Sequence, residues 1–137
     1  MSYTDEIIKL FRLFGLSRSL SEYMTPQMMQ VLLHVAHRPG CTMQELTEAT
    51  GLALSSVSRN LTALGEWHRR GKEGLGLVET IDDPVERRRK IVFLTPKGRA
   101  FCADLISVLR PGEIVALKSP TAKEHLNAVN GPWQRAG

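Results

Sequence analysis

The chain is poor in the residues from which most active sites are built. It holds two cysteines and four histidines in 137 residues. His34, His37, His68 and His125 stand in unrelated settings. No Gly-rich phosphate loop, no cluster of metal ligands and no nucleophile paired with a base is present in sequence. The expectation is therefore a protein that is not an enzyme and that carries no cofactor or metal. His34 and His37 are three apart, a spacing that suits a shared metal, but no third ligand accompanies them. They read instead as the polar face of an otherwise buried helix. Two isolated cysteines exclude a disulfide framework. Cys102 falls among apolar residues and is expected in the core, and nothing beside Cys41 argues for reactivity. No apolar run approaches the roughly 20 residues of a membrane helix. The first residues, MSYTDEIIKL, carry acids early and no basic n-region. A cytoplasmic protein without a membrane partner is expected.

What is present suits one modest domain: hydrophobic residues make up 42% and charged residues 23%, enough for a single core. The net charge of +4 is mild, but its distribution is not. Arg59, Arg69, Arg70, Lys72, Arg87, Arg88, Arg89, Lys90, Lys97 and Arg99 all lie within residues 59–99, inside or just past one contiguous stretch, residues 41–98. A concentrated basic face suggests a polyanion as partner.

That stretch also carries the clearest run of local signals. Thr42 with Glu45 three residues later is a capping box, opening a helix over 42–50 with Leu46 and Ala49 inward. Gly51 permits a tight turn, and Leu52 is the plug before a second helix, which begins at Leu54 or Ser55 and continues to about Arg70. In that helix Val57, Leu61 and Leu64 recur at helical spacing and should face the core. Ser55, Ser56, Ser58, Arg59, Asn60, Thr62 and Ala63 fall on the other side. These are short hydrogen-bonding groups with one Arg and one Asn, as a helix in the major groove requires: Arg grips guanine and Asn grips adenine by paired bonds. Residues 71–76 then form a loop, and Trp67 is expected to pack. Strands over 77–81 and 90–94 flank DDPVERRR, where Asp83-Pro84 turns the chain. Three consecutive arginines at an exposed tip, Arg87, Arg88 and Arg89, suit phosphates or a narrow minor groove, with Asp82, Asp83 and Glu86 placed to pair with some of them. The fold class expected is mainly α with a small β-hairpin wing (α+β), a winged helix-turn-helix. The candidate DNA-binding residues are Thr42, Ser55, Ser56, Ser58, Arg59, Asn60, Thr62, Arg87, Arg88 and Arg89.

The flanks read as support. Residues 4–16 form an apolar helix ending near Gly15, followed by a polar connection to Met24. Thr25-Pro26 caps a helix that stops at Pro39-Gly40, with Met28, Val31, Leu32, Val35 and Ala36 on one face. Thr95-Pro96 opens another, with Phe101, Leu105, Ile106 and Leu109 on its apolar side. After Pro111 the chain is broken by Pro and Gly, with one short helix over 121–129 and Trp133 as an anchor near the end. Residues 1–24 are thus assigned to dimerisation or packing, 25–110 to the DNA-binding domain and 111–137 to a tail.

The runs DDPVERRRKIVFLTPKG and LTEATGLALSSVSRNLTAL resemble the wing and the helix-turn-helix of the MarR family of winged-helix regulators, and the resemblance spans about residues 25–105. It implies a homodimer on double-stranded DNA, with the second motif helix in the major groove and a wing arginine, Arg87 or Arg88, in the minor groove, oriented by Asp83 and Glu86. It implies pairing through the terminal helices and, in many members, a response to small anionic or phenolic ligands; no effector pocket is assigned here. The Gly-rich stretch 65–76 is longer than the family's usual link, and the chain after Arg110 is shorter and more broken than its long dimerisation helices. A repressor occluding a pseudo-palindromic operator is the expected function. A winged helix that meets an acidic protein partner, or DNA binding in an architectural or replication role, stands as the alternative.

Overall fold

The computed structural model describes residues 2–66 and 73–130. The expectations for Trp67, Arg69, Arg70, Lys72 and Trp133 lie outside them. In chain order the elements are α1 (Thr4–Leu20), α2 (Pro26–His37), β1 (Cys41–Thr42), α3 (Met43–Thr50), α4 (Leu54–Leu64), β2 (Val78–Asp82), β3 (Lys90–Leu94), α5 (Pro96–Leu109) and α6 (Ala122–Val129). The architecture is the expected α+β winged helix-turn-helix, with one strand more than the hairpin.

Four helices start on a threonine whose hydroxyl accepts an otherwise unpaired amide, which is why their N-termini were legible in sequence. Thr25 accepts from Met28 at 3.1 Å, Thr42 from Glu45 at 3.1 Å, Thr95 from Gly98 at 3.0 Å and Thr121 from Glu124 at 3.2 Å. The end of α1 was misjudged. The helix passes through Gly15 and stops only after Leu20, because Leu13, Leu16 and Leu20 continue one stripe that packs on the core. One glycine inside a helix costs only about 1 kcal/mol, which packing offsets.

Strand β1 was not foreseen. Cys41 and Thr42 pair with Val92 and Ile91, so β3 is the centre of a three-stranded antiparallel sheet of order β1-β3-β2. A two-residue strand has no period to read, so only its partner reveals it. Side chains alternate across the sheet. Val78, Val92 and Leu94 join Val31, Leu32, Val35, Leu46, Val57, Leu61, Leu64 and Leu105 in the main core, whereas Ile81, Ile91 and Phe93 face the other way, towards α6. Fully burying one such Leu or Val is worth roughly 1.5–3 kcal/mol. Not every apolar expectation holds: Ala49 and Leu109 are exposed and Ile106 only half-buried.

Helix α4 was expected to run on to Arg70, but it ends at Leu64, with Gly65 extended. The reason is a backbone approach. Leu75 and Leu77 donate to the carbonyls of Ala63 and Leu64, and Gly76 donates to that of Gly65. A Cβ on Gly74 would collide with the Gly65 carbonyl. The returning chain thus occupies the space the next helical turn would need. The same logic joins the wing to α5: Thr95 donates to the Gly76 carbonyl at 2.6 Å, and a Cβ on Gly98 would strike the Leu77 carbonyl.

Candidate nucleic-acid interface

Helix α3 closes on Gly51, whose φ of +75° is the left-handed conformation glycine adopts cheaply. Leu52 packs on the core, and α4 leaves the turn with Val57, Leu61 and Leu64 inward. Ser55, Ser58 and Arg59 are exposed and Ser56 half-exposed on its outer side. Arg59 Nη2 donates to Ser56 Oγ at 3.4 Å, a loose contact that leaves the guanidinium in solvent.

Asn60 is a correction. It is not on the outer face: it is 9% exposed, and its Nδ2 donates to Gln27 Oε1 of α2 at 3.2 Å. Residues 57, 60, 61 and 64 follow the i, i+3, i+4, i+7 stripe of a core-facing helix, and all four are buried. The helical spacing therefore turns Asn60 inward despite its polar side chain. Gln27, unsuspected in sequence, is the partner that makes a buried amide tolerable. Thr62 and Ala63 are also half-buried rather than outward. Thr62 donates to the Ser58 carbonyl at 3.0 Å and lines a groove of about 500 Å³ between the end of α4 and β2. Ala63 packs on the core.

The wing tip, residues 83–89, is ordered by one buried carboxylate. Asp83 Oδ1 accepts from the Val85 amide at 2.9 Å, and Oδ2 accepts from Arg89 Nε at 2.8 Å. The Asp83 amide donates to the Arg89 carbonyl, and the Arg89 amide to that of Glu86. The Val85 amide first, and then Arg89, hold the Asp83 carboxyl below the usual aspartate range. A lowered folded-state pKa means that this contribution is complete above the ordinary aspartate pKa and is lost only as pH falls through the lowered value. The acid thus steadies Arg89, not Arg87 or Arg88 as the resemblance implied. Lys90 pairs with Asp82 at 2.8 Å. Arg87 and Arg88 are exposed and make no ion pair among the described residues.

The structure brings Thr42 to the wing. Thr42, Gln44, Glu45 and Glu48 face Arg88, Arg89 and Lys90 across a shallow depression of about 570 Å³. Only half of the expected capping box forms. The Glu45 carboxylate makes no return bond to the cap; the Arg89 guanidinium is favoured in its charged form first by the bond to Asp83, with Glu86 and Glu45 adding to it. Of the basic residues singled out in sequence, Arg89, Lys90 and Arg99 are tied to acids, and Lys97 donates to the Leu75 carbonyl. Arg59, Arg87 and Arg88 remain turned to solvent.

Both cysteines are free and buried, and burial pushes each thiol up to about 11, away from the reactive thiolate. The rings of His34 and His37 meet edge-on at 6.3 Å, and no group of three metal-ligating side chains occurs among the described residues. No helix among them is long and apolar enough to cross a membrane. A third concavity, an apolar cleft of about 370 Å³, opens between α1, α2 and α5. It is lined by Leu13, Met29, Leu33, Leu105 and Ile106 among others, with no charged side chain among the described residues.

Residues 24–67, which hold α2 through α4, match the model of the MarR family. No curated protein sequence matches the chain. The transcriptional repressor CouR, solved bound to a 23-mer DNA duplex, is 22% identical; the match covers 96% of this chain and 79% of that one, with a TM-score of 0.58. NadR, solved in complex with 4-hydroxyphenylacetate, is 14% identical over 96% of this chain and 79% of its own, with a TM-score of 0.58. The PcaV transcriptional regulator from Streptomyces coelicolor is 21% identical over 96% and 84%, with a TM-score of 0.54. At these identities the likeness is one of fold.

Proposed function

We propose that this chain, whose winged helix-turn-helix is of the MarR type, is a sequence-specific double-stranded DNA-binding regulator of transcription. In this reading it works in the cytoplasm as a homodimer and represses by covering a pseudo-palindromic operator. The observation that carries the reading is the pairing of two surfaces on one rigid core. The outer side of α4 offers Ser55, Ser58 and Arg59 to solvent, and the wing offers Arg87 and Arg88 from a tip braced by Asp83. Small hydroxyls and one guanidinium fit base edges in a major groove, and arginines turned to solvent fit phosphate or a narrow minor groove. We assign base and phosphate contact to Ser55, Ser56, Ser58, Arg59, Arg87 and Arg88, backbone contact to Thr42 beside the wing, and a bracing role to Arg89. Residues 25–110 would read DNA and residues 1–24 would pair two copies.

The same reading places a small-molecule effector in the apolar cleft. Its volume suits a small ligand. A carboxylate such as the one in the NadR complex would be buried there without a cationic partner among the described residues, which costs several kcal/mol. The effector inferred is therefore neutral and apolar.

Selection of bound duplexes from a random pool, followed by sequencing and titration, tests the whole. The expected result is an inverted repeat with half-sites about one helical turn apart, affinity that falls steeply with salt, and weakening by a neutral amide but not by its parent carboxylate. No duplex affinity at low salt would replace this function with binding to an acidic protein. Weakening by the carboxylate alone would overturn the effector class.

A further inference from the structure

We infer that α6 is a clamp, acting within its own chain, that sets the pose of the wing. The consequence for DNA rests on the function proposed above; the clamp itself does not.

The β2–β3 hairpin has an apolar side that the main core does not cover, carrying Ile81, Ile91 and Phe93. A hairpin with such a side open to water is marginal on its own. Helix α6 closes it. Ala122, 1% exposed, is small enough to let the helix lie close to the strands. The His125 ring packs on that of Phe93 at 4.8 Å between centroids. Ile91 and Phe93 are thereby 4% and 1% exposed, as deep as the main core.

Three tethers then fix α6 to elements outside the wing. Arg99, at the start of α5, donates to Glu124 at 2.8 Å and to the Ser119 carbonyl at 3.2 Å. The Ser119 hydroxyl donates to the Ala36 carbonyl, near the end of α2, at 2.6 Å. Leu117 reaches the main core. The hairpin is thus gripped from its second side by a helix anchored to α2 and α5. Because α6 spends its apolar side on the sheet, it offers little to a second copy, whereas α1 leaves Ile7, Leu10, Phe11 and Phe14 exposed. The two terminal helices therefore have different tasks.

The test sets Ala122→Glu, which wedges α6 from the sheet, beside the single variants Arg99→Glu and Glu124→Arg and their double swap, which disturb the Arg99–Glu124 pair and, in the Arg99 variants, the bond to the Ser119 carbonyl. Hydrogen exchange, oligomer mass and a footprint on the selected duplex are read for each. Ala122→Glu should speed exchange in Val78–Asp82 and Lys90–Leu94 while α2 and α4 keep their protection. It should leave the oligomer mass unchanged, erase the flanking wing protection on DNA before the central protection, and weaken binding about tenfold, the loss of roughly one contact. Arg99→Glu and Glu124→Arg should each show a smaller change of the same kind, with partial recovery in the swap, which restores the ion pair but not the bond to the Ser119 carbonyl. Wing exchange equal to wild type in both sets, or variants that fall to monomers, would overturn the clamp. If Ala122→Glu fails to fold, the tether series decides. If the wild-type chain binds no duplex, the proposed function fails, and exchange with oligomer mass still judges the clamp.

Discussion

Two helices of this protein face solvent with opposite chemistry. The outer side of α1 carries Phe11 and Phe14, 79% and 71% exposed, together with Ile7 and Leu10. The outer side of α4 carries Ser55, Ser58 and Arg59. Both helices pack one stripe on the same core, through Leu13, Leu16 and Leu20 in α1 and through Val57, Leu61 and Leu64 in α4. The inner stripes are interchangeable in kind, so the outer faces carry the information about partners. A contiguous apolar face beyond what a monomer needs marks a surface that another protein covers. A face of hydroxyls and a guanidinium keeps its water until a partner with acceptors and negative charge displaces it. Under the proposed function, the apolar face would pair two copies of the chain and the polar face would meet the polyanion.

The largest effect should come from making the two faces alike. Phe11→Glu with Phe14→Glu gives α1 a charged outer side, and burying each ring in a dimer is worth roughly 2 kcal/mol. Sedimentation should show the dimer dissociation constant raised about a hundredfold or more, with the monomer's circular dichroism intact; an unchanged mass would remove α1 from the interface. A smaller effect should separate two neighbours on α4. Arg59→Ala should cost roughly 1–3 kcal/mol of duplex binding and relax preference at one base position, while stability moves by less than about 0.5 kcal/mol. Asn60→Ala should do the reverse, losing about 1 kcal/mol of stability by stranding Gln27 while the selected sequence stays the same. Relaxed base preference in Asn60→Ala would return that residue to the reading face.

Much of this was legible without coordinates because the signals are local. A threonine hydroxyl three residues from the amide it caps, a glycine at positive φ after α3, and apolar residues at a 3.6 or 2 period each act within one turn or one strand. Thr42, Gly51, Val57 and the β3 run were therefore readable. Asn60 was misread by chemistry against its own spacing. Strand β1 was invisible because two residues have no period. The end of α4 was missed because what stops it is the chain returning at Gly74 to Leu77.

The sequence by itself settled the order of helices and hairpin, their caps, and the clustering of arginine at one turn, since these depend on residues a few places apart. Only the tertiary structure decided that Gln27 of α2 would meet Asn60, and that the last helix would lie on the back of the wing. Each of those depends on which surfaces meet once the core has closed. A pairing between positions some 30 residues apart leaves no trace in either segment taken alone, because neither partner is under strain until the other arrives.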